Sequence, residues 1–212
     1  MRQIIERHKI WRNPQFVFSV VQGGALVITS LVINYFALSY ASDSASAPVT
    51  DIILSNLRVY DVDVPIIAFS IILIVFAIMQ GIHHPKKIPF GLKALALFIV
   101  IRSIFISLTH LGAFDPHLVI PANRLATVLG LGSADDLFFS GHTGLPFLAA
   151  LIFWDNKLSR YIFLAGSLTL ATFMLLGHLH YSIDVFAAFF ITYSIFHIAQ
   201  ILFAKDWKIF GS

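Results

Sequence analysis

The sequence predicts an all-α integral membrane protein, a bundle of six transmembrane helices with both termini in the cytoplasm. Hydrophobic residues make up 58% of the 212 residues and charged residues 12%, which is about half the charged share of soluble domains. The apolar residues form runs close to the roughly 20 residues that a helix needs to cross a bilayer. No internal repeat or low-complexity tract divides the chain, so we treat residues 1–212 as one domain.

Six apolar runs define the predicted spans. They cover residues 16–40, 62–82, 92–111, 142–154, 161–179 and 182–203. The fourth run is short and contains Pro146, a residue that disfavours a helix interior. The loop before it, residues 112–141, is the longest and is expected to be structured. The segment before the first run (MRQIIERHKIWRN) lacks the cleavage pattern of a signal peptide and is expected to be a cytoplasmic leader.

The positions of Lys and Arg set the predicted orientation, because these residues concentrate in cytoplasmic loops. One set of loops and ends contains most of them: Arg2, Arg7, Lys9, Arg12, Lys86, Lys87, Lys93, Lys157, Arg160, Lys205 and Lys208. The alternate set contains Arg58 and Arg124. We therefore place the first set in the cytoplasm. The stretches FFSGHTG (138–144) and GHLHYSIDV (177–185) then meet at the non-cytoplasmic face, where His110 closes the third span.

His180 and Asp184 are the first candidates for chemistry. They stand four residues apart, so on a helix they share one face. A carboxylate in that position accepts a hydrogen bond from one imidazole nitrogen and leaves the other nitrogen free as a base or nucleophile. Ionisable residues within membrane spans are rare and mark functional sites, which favours a catalytic function for this pair.

A second group of candidates lies at the predicted start of the fourth span. Helix N-termini suit phosphate and other anions, because their first N–H groups are unpaired. Gly141 permits close approach of the backbone to a ligand, and Ser140 and Thr143 add hydroxyl groups. With His142 and the His180 pair, these residues suit phosphoryl transfer through a covalent histidine. In that reaction one imidazole attacks phosphorus and another protonates the leaving oxygen.

Three stretches carry a resemblance to a known family. SGHT followed by HYSID resembles the last two conserved motifs of the type 2 phosphatidic acid phosphatase (PAP2) superfamily. The sequence is most similar to its sphingomyelin synthase and ceramide phosphoethanolamine synthase branch. ADDLFFSGHT (134–143) resembles GDYLYSGHT, HLHYSIDVFAAFFIT (178–192) resembles HDHYTIDVVIAYYIT, and IRSIFISLTHLG (101–112) resembles LRSITMxxTxLP. The resemblance covers the C-terminal half of the chain, from the third span onward.

The resemblance implies a role for each matching residue. His180 would be the nucleophile that forms a phosphohistidine, and Asp184 would orient it. His142 would act first as the general acid and then as the base that activates the acceptor. Asp136 would support His142 or the acceptor hydroxyl, and Arg102 would bind phosphate. The remaining expected substrate contacts are Ser140, Gly141, Thr143 and His110.

The implied protein is a compact bacterial lipid phosphotransferase or phosphodiesterase of the inner membrane, with its site facing the periplasm. It would cleave a phospholipid headgroup and pass it to a ceramide- or diacylglycerol-like lipid alcohol, or to water. No cofactor, metal or nucleic-acid partner is expected. One departure concerns the acceptor: the sole glutamate is Glu6, so the family's loop glutamate is missing or is replaced by Asp115 or Asp135.

Two other functions remain as alternatives. A lipid phosphate phosphatase would act on a monoester, but its K-x6-RP motif is missing here, and Met174 stands where its third motif has arginine. A monoester dianion needs more nearby positive charge than a diester. A proton-coupled transporter would place its ionisable residues near the midplane, whereas all but Arg102 lie at one face. A His178–His180 metal pair would lack a third ligand with suitable spacing.

Overall fold

The computed structural model describes residues 8–115 and 137–211. Within these ranges the regular structure is helical and contains no strand. The α-helices there are, in chain order, α1 Pro14–Asp43, α2 Asp63–His83, α3 Ile88–Leu108, α4 Gly141–Ile152, α5 Lys157–Leu176, α6 Ser182–Leu202 and α7 Ala204–Gly211. The all-α prediction is confirmed for these residues.

Five of the described helices, α1, α2, α3, α5 and α6, are long and apolar enough to cross a membrane. Helix α4 has 12 residues. At the rise of an α-helix it is about 18 Å long, well short of a hydrocarbon core of about 30 Å. The helices therefore fit a membrane protein. A sixth span and the cytoplasmic position of the termini remain predictions.

The third helix begins and ends earlier than predicted, at Ile88–Leu108 rather than at 92–111. Pro89 fits the first turn of a helix, where its missing N–H is not needed. Thr109 is extended, and the carbonyl of His110 accepts a hydrogen bond from the Ser46 N–H at 3.0 Å. His110 therefore lies in an extended segment after α3 and does not close the helix. The other long predicted spans agree with the observed helices to within a few residues.

Helix α4 occupies the centre of the described bundle and contacts α5, α6, α3 and α2. Gly144 makes the close packing possible, since a Cβ there would lie 2.8 Å from both the Phe98 ring of α3 and Thr192 Oγ1 of α6. The buried core around α4 includes Leu148 and Phe139. Helix α1 packs lengthwise against α3. The short helix is thus held by the long ones.

The two ends of the bundle differ in what they contain. One end, which we call the site end, contains the C-termini of α1, α3 and α5 and the N-termini of α2, α4 and α6. Backbone hydrogen bonds join this end, including one from the Tyr60 N–H to the Leu176 carbonyl at 2.9 Å. The opposite end contains the α2–α3 turn, the α4–α5 turn and α7. Both sequence motifs lie at the site end.

Candidate functional site

A tight turn at the end of α5 places His180. The His178 N–H donates to the Leu175 carbonyl at 3.1 Å, and the Leu179 N–H donates to the Met174 carbonyl at 2.9 Å. These two bonds form the Schellman arrangement that ends many helices. His178 takes the left-handed position with φ 52°, where glycine is usual. The turn reverses the chain so that His180 stands directly before α6.

Asp184 holds His180 from the first turn of α6. Its Oδ2 lies 3.3 Å from His180 Nδ1 and accepts a hydrogen bond from the Tyr181 N–H at 3.1 Å. Both side chains are buried, and Asp184 is 1% exposed. With Nδ1–H donating to the carboxylate, Nε2 carries the lone pair. The fixed tautomer is the arrangement that a nucleophilic imidazole requires.

The SGHT motif forms the N-terminus of α4 and meets the second motif directly. Ser140 is the N-cap, and its hydroxyl accepts from the Thr143 N–H at 3.3 Å. The Ser140 N–H donates to the Asp184 backbone carbonyl at 3.1 Å. Ser167 of α5 donates from its hydroxyl to the Thr143 carbonyl at 2.7 Å. The predicted meeting of the two motifs is thus present as a hydrogen-bonded contact.

Arg102 of α3 reaches the same turn. Its Nε donates to the Phe139 carbonyl at 3.2 Å, and its side chain is buried at 4% exposure. A Cβ added at Gly141 would lie 3.3 Å from Arg102 Nε and 3.5 Å from Cζ. The guanidinium therefore packs on the backbone of Gly141. Its charge adds to the partial positive charge of the α4 N-terminus.

His142 faces a cavity of about 110 Å³ between α2, α4 and α5. It lies close enough to His180 and Arg102 to interact electrostatically with both. The cavity walls are apolar apart from His142 and the hydroxyl of Ser70 in α2. Pro146, one turn along α4, lines it and removes the helical N–H that would pair with the His142 carbonyl. The structure therefore places His142 at a small, mostly apolar space, with His180 close to His142 but not among the residues that line this space.

The structure does not place two predicted residues in this cluster. Asp136 lies outside the described residues. The ring of His110 packs edge-on against Tyr40, with 5.2 Å between ring centroids, at the junction of α1 with the segment after α3. The proposed part of His110 in substrate binding stays a prediction.

Two residues that sequence reasoning missed hold the His180 segment. The Asp51 carboxylate, in the α1–α2 loop, accepts from the Ser182 N–H at 2.7 Å and from the Ile53 N–H at 2.8 Å. The Tyr181 hydroxyl donates to the Gly112 carbonyl at 2.8 Å. Asp51 thereby satisfies a backbone donor in the first turn of α6, which has no partner within the helix. Its sequence signal, an Asp before a short helical turn, indicates only local capping.

Among residues 8–115 and 137–211 there is no group of three or more His, Cys, Asp or Glu side chains that could hold a metal ion. The His178 ring packs edge-on against Phe114, with 5.4 Å between ring centroids. The described geometry thus offers acid–base and nucleophilic groups together with positive charge. This set suits attack on a phosphate ester.

The described helices form an apolar bundle in which a histidine–carboxylate pair lies beside a helix N-terminus. These features place the protein in the class of membrane proteins with a site suited to phosphate esters. Residues 134–201, about a third of the chain, match the family model described as PAP2 superfamily C-terminal. This match supports the PAP2 superfamily and an enzyme of the phosphatase or phosphotransferase type. It does not identify a branch. Comparisons with curated proteins and with solved structures gave no match.

Proposed function

We propose that the protein is a membrane-embedded lipid phosphotransferase that works through a phosphohistidine at His180. The observation that carries the proposal is the contact between the two motifs. Asp184 holds His180 Nδ1 at 3.3 Å with its side chain, and its backbone carbonyl accepts from Ser140 at the start of α4. One residue therefore positions the nucleophile relative to the anion-binding helix end and to His142.

The first half-reaction transfers the phosphoryl group to His180. The Nε2 lone pair attacks phosphorus, and the bond from phosphorus to the lipid alcohol oxygen breaks. Protonated His142 gives its proton to that oxygen, so a neutral lipid alcohol leaves. Asp184 stabilises the positive charge that develops on the His180 ring. General acid catalysis of this kind contributes about 10²–10⁴-fold.

The second half-reaction returns both histidines to their starting states. Neutral His142 takes a proton from the acceptor hydroxyl, and the acceptor oxygen attacks phosphorus as the bond to His180 Nε2 breaks. With a ceramide- or diacylglycerol-like alcohol as acceptor the enzyme is a transferase, and with water it is a phosphodiesterase. The apolar walls around His142 favour a lipid alcohol, because they exclude water.

We further propose a phosphodiester as the donor rather than a phosphomonoester. Arg102 and the α4 N-terminus supply about one and a half positive charges before any histidine is protonated, counting the helix end as about half a charge. A diester has one negative charge, whereas a monoester approaches a dianion. The desolvation cost of a buried dianion needs more compensation than these groups give. The sphingomyelin synthase-like branch, which uses diesters, therefore remains the leading proposal.

The proposed orientation places the site end on the periplasmic face of a bacterial inner membrane. The support is the distribution of basic residues, since Lys86, Lys157 and Lys205 lie at the opposite end of the bundle and such residues favour the cytoplasm. Donor and acceptor lipids would then come from the outer leaflet. A proton-coupled transporter is disfavoured, because its ionisable residues are expected near the bilayer midplane.

The test is an assay of the purified protein with a panel of lipids labelled in the headgroup phosphate, with and without ceramide or diacylglycerol. We expect label to move to the added lipid alcohol, and a His180→Ala variant to transfer none. Activity should survive EDTA; loss restored by zinc would replace this mechanism with a metal site at His178 and His180. Release of inorganic phosphate from phosphatidic acid at a higher kcat/KM than any diester would establish the phosphatase alternative.

A further inference from the structure

A second cavity of about 530 Å³ lies between α2, α3 and α4. It is on the side of the His142 cavity that faces the α2–α3 turn. We call it the crevice. Four residues line both spaces: Ile74, Ala77, Leu145 and Ala149. The crevice is therefore adjacent to the small space beside His142. Apart from Lys87, its walls are apolar residues and glycines.

The dimensions of the combined space match one lipid leaflet. Along α2 it extends from Ser70 to Ile82, a separation of about 18 Å at the rise of an α-helix. Half of a hydrocarbon core of about 30 Å is about 15 Å. A single acyl chain whose polar end sits beside His142 would therefore occupy the crevice over most of its length.

An ion pair between Lys87 and Asp155, which we call the lock, lies at the far end of the crevice. Lys87 Nζ donates to the Ile152 carbonyl at 2.9 Å and to Asp155 Oδ1 at 2.8 Å, and it lies 5.3 Å from the centroid of the Phe153 ring. These contacts join the α2–α3 turn to the end of α4. A chain that reached this point would meet the charged Lys87 ammonium group, next to which an apolar chain end is unfavourable.

Ser70 lies at the end of the space nearest His142. Several hydroxyl groups of the described helices bond to a carbonyl one turn back, as those of Ser107, Thr172 and Ser194 do. Four others are buried without a hydrogen-bond partner among the described residues, and of these four Ser70 alone lines the His142 cavity; the other three are Thr143, Ser159 and Thr192. The Ser70 hydroxyl is buried, lines the His142 cavity and has no hydrogen-bond partner among the described residues. A buried hydroxyl without a partner is destabilising. Because the Ser70 hydroxyl also lies at the wall of the His142 cavity, a polar group of a ligand in that cavity could satisfy it.

We infer that the crevice binds one acyl chain of the lipid substrate. Ser70 donates a hydrogen bond to an ester, amide or hydroxyl oxygen in the backbone of that lipid. The Lys87–Asp155 lock limits the length of the acyl chain that the crevice accepts. The inference rests on the proposed function, because it places the scissile phosphate beside His142. A helix of a second copy is disfavoured as the occupant. An α-helix is about 10 Å wide or more and cannot enter the space of about 110 Å³ beside His142.

The test of chain length uses a substitution that places a larger side chain in the wall of the crevice. A Cβ at Gly91 would lie 3.9 Å from Ile152 Cδ1, so Gly91→Leu adds a side chain without a backbone clash. Gly24→Leu is the matched control, since a Cβ there meets nothing within 4 Å. We expect Gly91→Leu to lower kcat/KM for a dipalmitoyl substrate about tenfold, equivalent to about two methylene groups kept out of an apolar site. The dibutanoyl form should be unaffected, and the control should match wild type with both.

Ser70→Ala tests the polar end. We expect kcat/KM for acyl lipids to fall about three- to tenfold, the range for a lost hydrogen bond, with no change for a nitrophenyl phosphate ester that has no lipid backbone. Ser107→Ala, which removes a hydroxyl bonded within its own helix, is the control. Equal losses with the lipid and the nitrophenyl ester would overturn the assignment of Ser70.

A direct readout separates this inference from the proposed function. A phospholipid with a photoactivatable group at the end of its acyl chain should crosslink near Phe153 in the His180→Ala protein, and Gly91→Leu should abolish that crosslink. Crosslinks spread over the whole lipid-facing surface, or equal losses for both chain lengths in Gly91→Leu, would overturn the crevice site. A dimer that Gly91→Leu dissociates would also overturn it, in favour of a second copy as occupant. If the crosslink holds but no lipid phosphate is transferred, the proposed function fails instead.

Discussion

The two ends of the bundle bury ionisable side chains in different ways. At the opposite end, Lys93 Nζ contacts Asp206 Oδ2 at 2.7 Å, Ser19 Oγ at 2.9 Å and Gln22 Oε1 at 2.9 Å. The three donors of the ammonium group each have an acceptor. Ser19 also donates to Asp206. This network joins α1, α3 and α7 and leaves no free donor on the Lys93 ammonium group.

At the site end, the buried groups are incompletely satisfied. Asp184 Oδ1 and Thr143 Oγ1 are buried without a hydrogen-bond partner among the described residues, and His142 faces a cavity. Buried polar groups in stable structures are normally paired. The contrast shows that burial of charge in a membrane bundle does not by itself mark function. Unused hydrogen-bonding capacity beside a cavity is the feature on which we base the proposed site.

The largest expected effect comes from removing the proposed catalytic groups at the site end. We predict that His180→Ala and His142→Ala each lower turnover at least about 10³-fold, about 4 kcal/mol of transition-state stabilisation, because each removes a group that forms or breaks a bond. Asp184→Asn should cost less than His180→Ala, since it spoils orientation but keeps the base. The measurement is lipid turnover in vesicles, with thermal unfolding to establish that each variant folds.

His197→Ala is the matched control for these variants, because His197 lies on the same helix α6, exposed, and bonds to Gln200 at 2.8 Å. It should retain wild-type turnover. Near wild-type turnover in His180→Ala would contradict the mechanism. Trapped phosphate on His180 but not on His142 would sharpen the assignment of the nucleophile.

The second largest effect is a loss of stability when the buried ion pair at the opposite end is removed. Lys93→Ala leaves a buried Asp206 carboxylate without its cation, which costs about 3–5 kcal/mol in known cases. We therefore predict a large fall in unfolding free energy in detergent but normal turnover per folded molecule. The double variant Lys93→Met/Asp206→Leu should recover most of the stability, because it removes both charges. Loss of turnover without loss of stability would show that the network belongs to the site.

The sequence allowed prediction of the site end better than of the opposite end. The pattern of apolar runs placed both motifs at one end. The His180–Asp184 contact was expected from the helix period, but His180 lies in the turn before α6, so the contact depends on the shape of that turn. Lys93 was assigned to the cytoplasmic boundary by the positive-inside rule, but the structure buries it. Its partner Asp206 is 113 residues away, and no local pattern indicates a pairing over that distance.

The same reason explains the missed residues at the site end. Asp51 contacts Ser182 across 131 residues, so its position beside the His180 segment depends on the packing of loops. The unpaired hydroxyl of Ser70 follows from the shape of a cavity, which composition does not determine. The short length of α4 was predicted from its short apolar run, but its central position was not. Local periodicity therefore predicts elements, and contacts between distant elements require the structure.

The third effect compares an arginine at the site end with an arginine at the opposite end. We predict that Arg102→Ala lowers kcat/KM for a phosphodiester lipid more than about tenfold, equivalent to about 1.4 kcal/mol, because its guanidinium lies at the α4 N-terminus where phosphate would bind. Arg160→Ala, an arginine at the opposite end that packs on Trp154, should have no effect. Wild-type protein should also prefer the diester over phosphatidic acid with the same acyl chains. The reverse preference would rank the phosphatase function first.

The smallest effect concerns the support of the site end by Asp51. Burial raises the pKa of this carboxyl group, but hydrogen bonds from the backbone N–H groups of Leu54, Ser182 and Ile53 outweigh it, and the net pKa is lowered from 3.8. A carboxyl with a lowered folded-state pKa stabilises the fold above its unfolded-state pKa. That stabilisation is lost as the pH falls through the lower, folded-state value.

We therefore predict that Asp51→Ala lowers unfolding free energy near neutral pH by about 0.5–2 kcal/mol, the range for losing a helix cap. The difference from wild type should persist down to about pH 5 and shrink below about pH 4, since the wild-type carboxylate then becomes protonated. Asp61→Ala is the control, because Asp61 is an exposed aspartate of the same loop and accepts one local hydrogen bond at 3.3 Å. Turnover should fall a few-fold in Asp51→Ala alone, since Asp51 fixes the first turn of α6 beside His180. A difference independent of pH would mean that packing, and not the charged cap, gives Asp51 its effect.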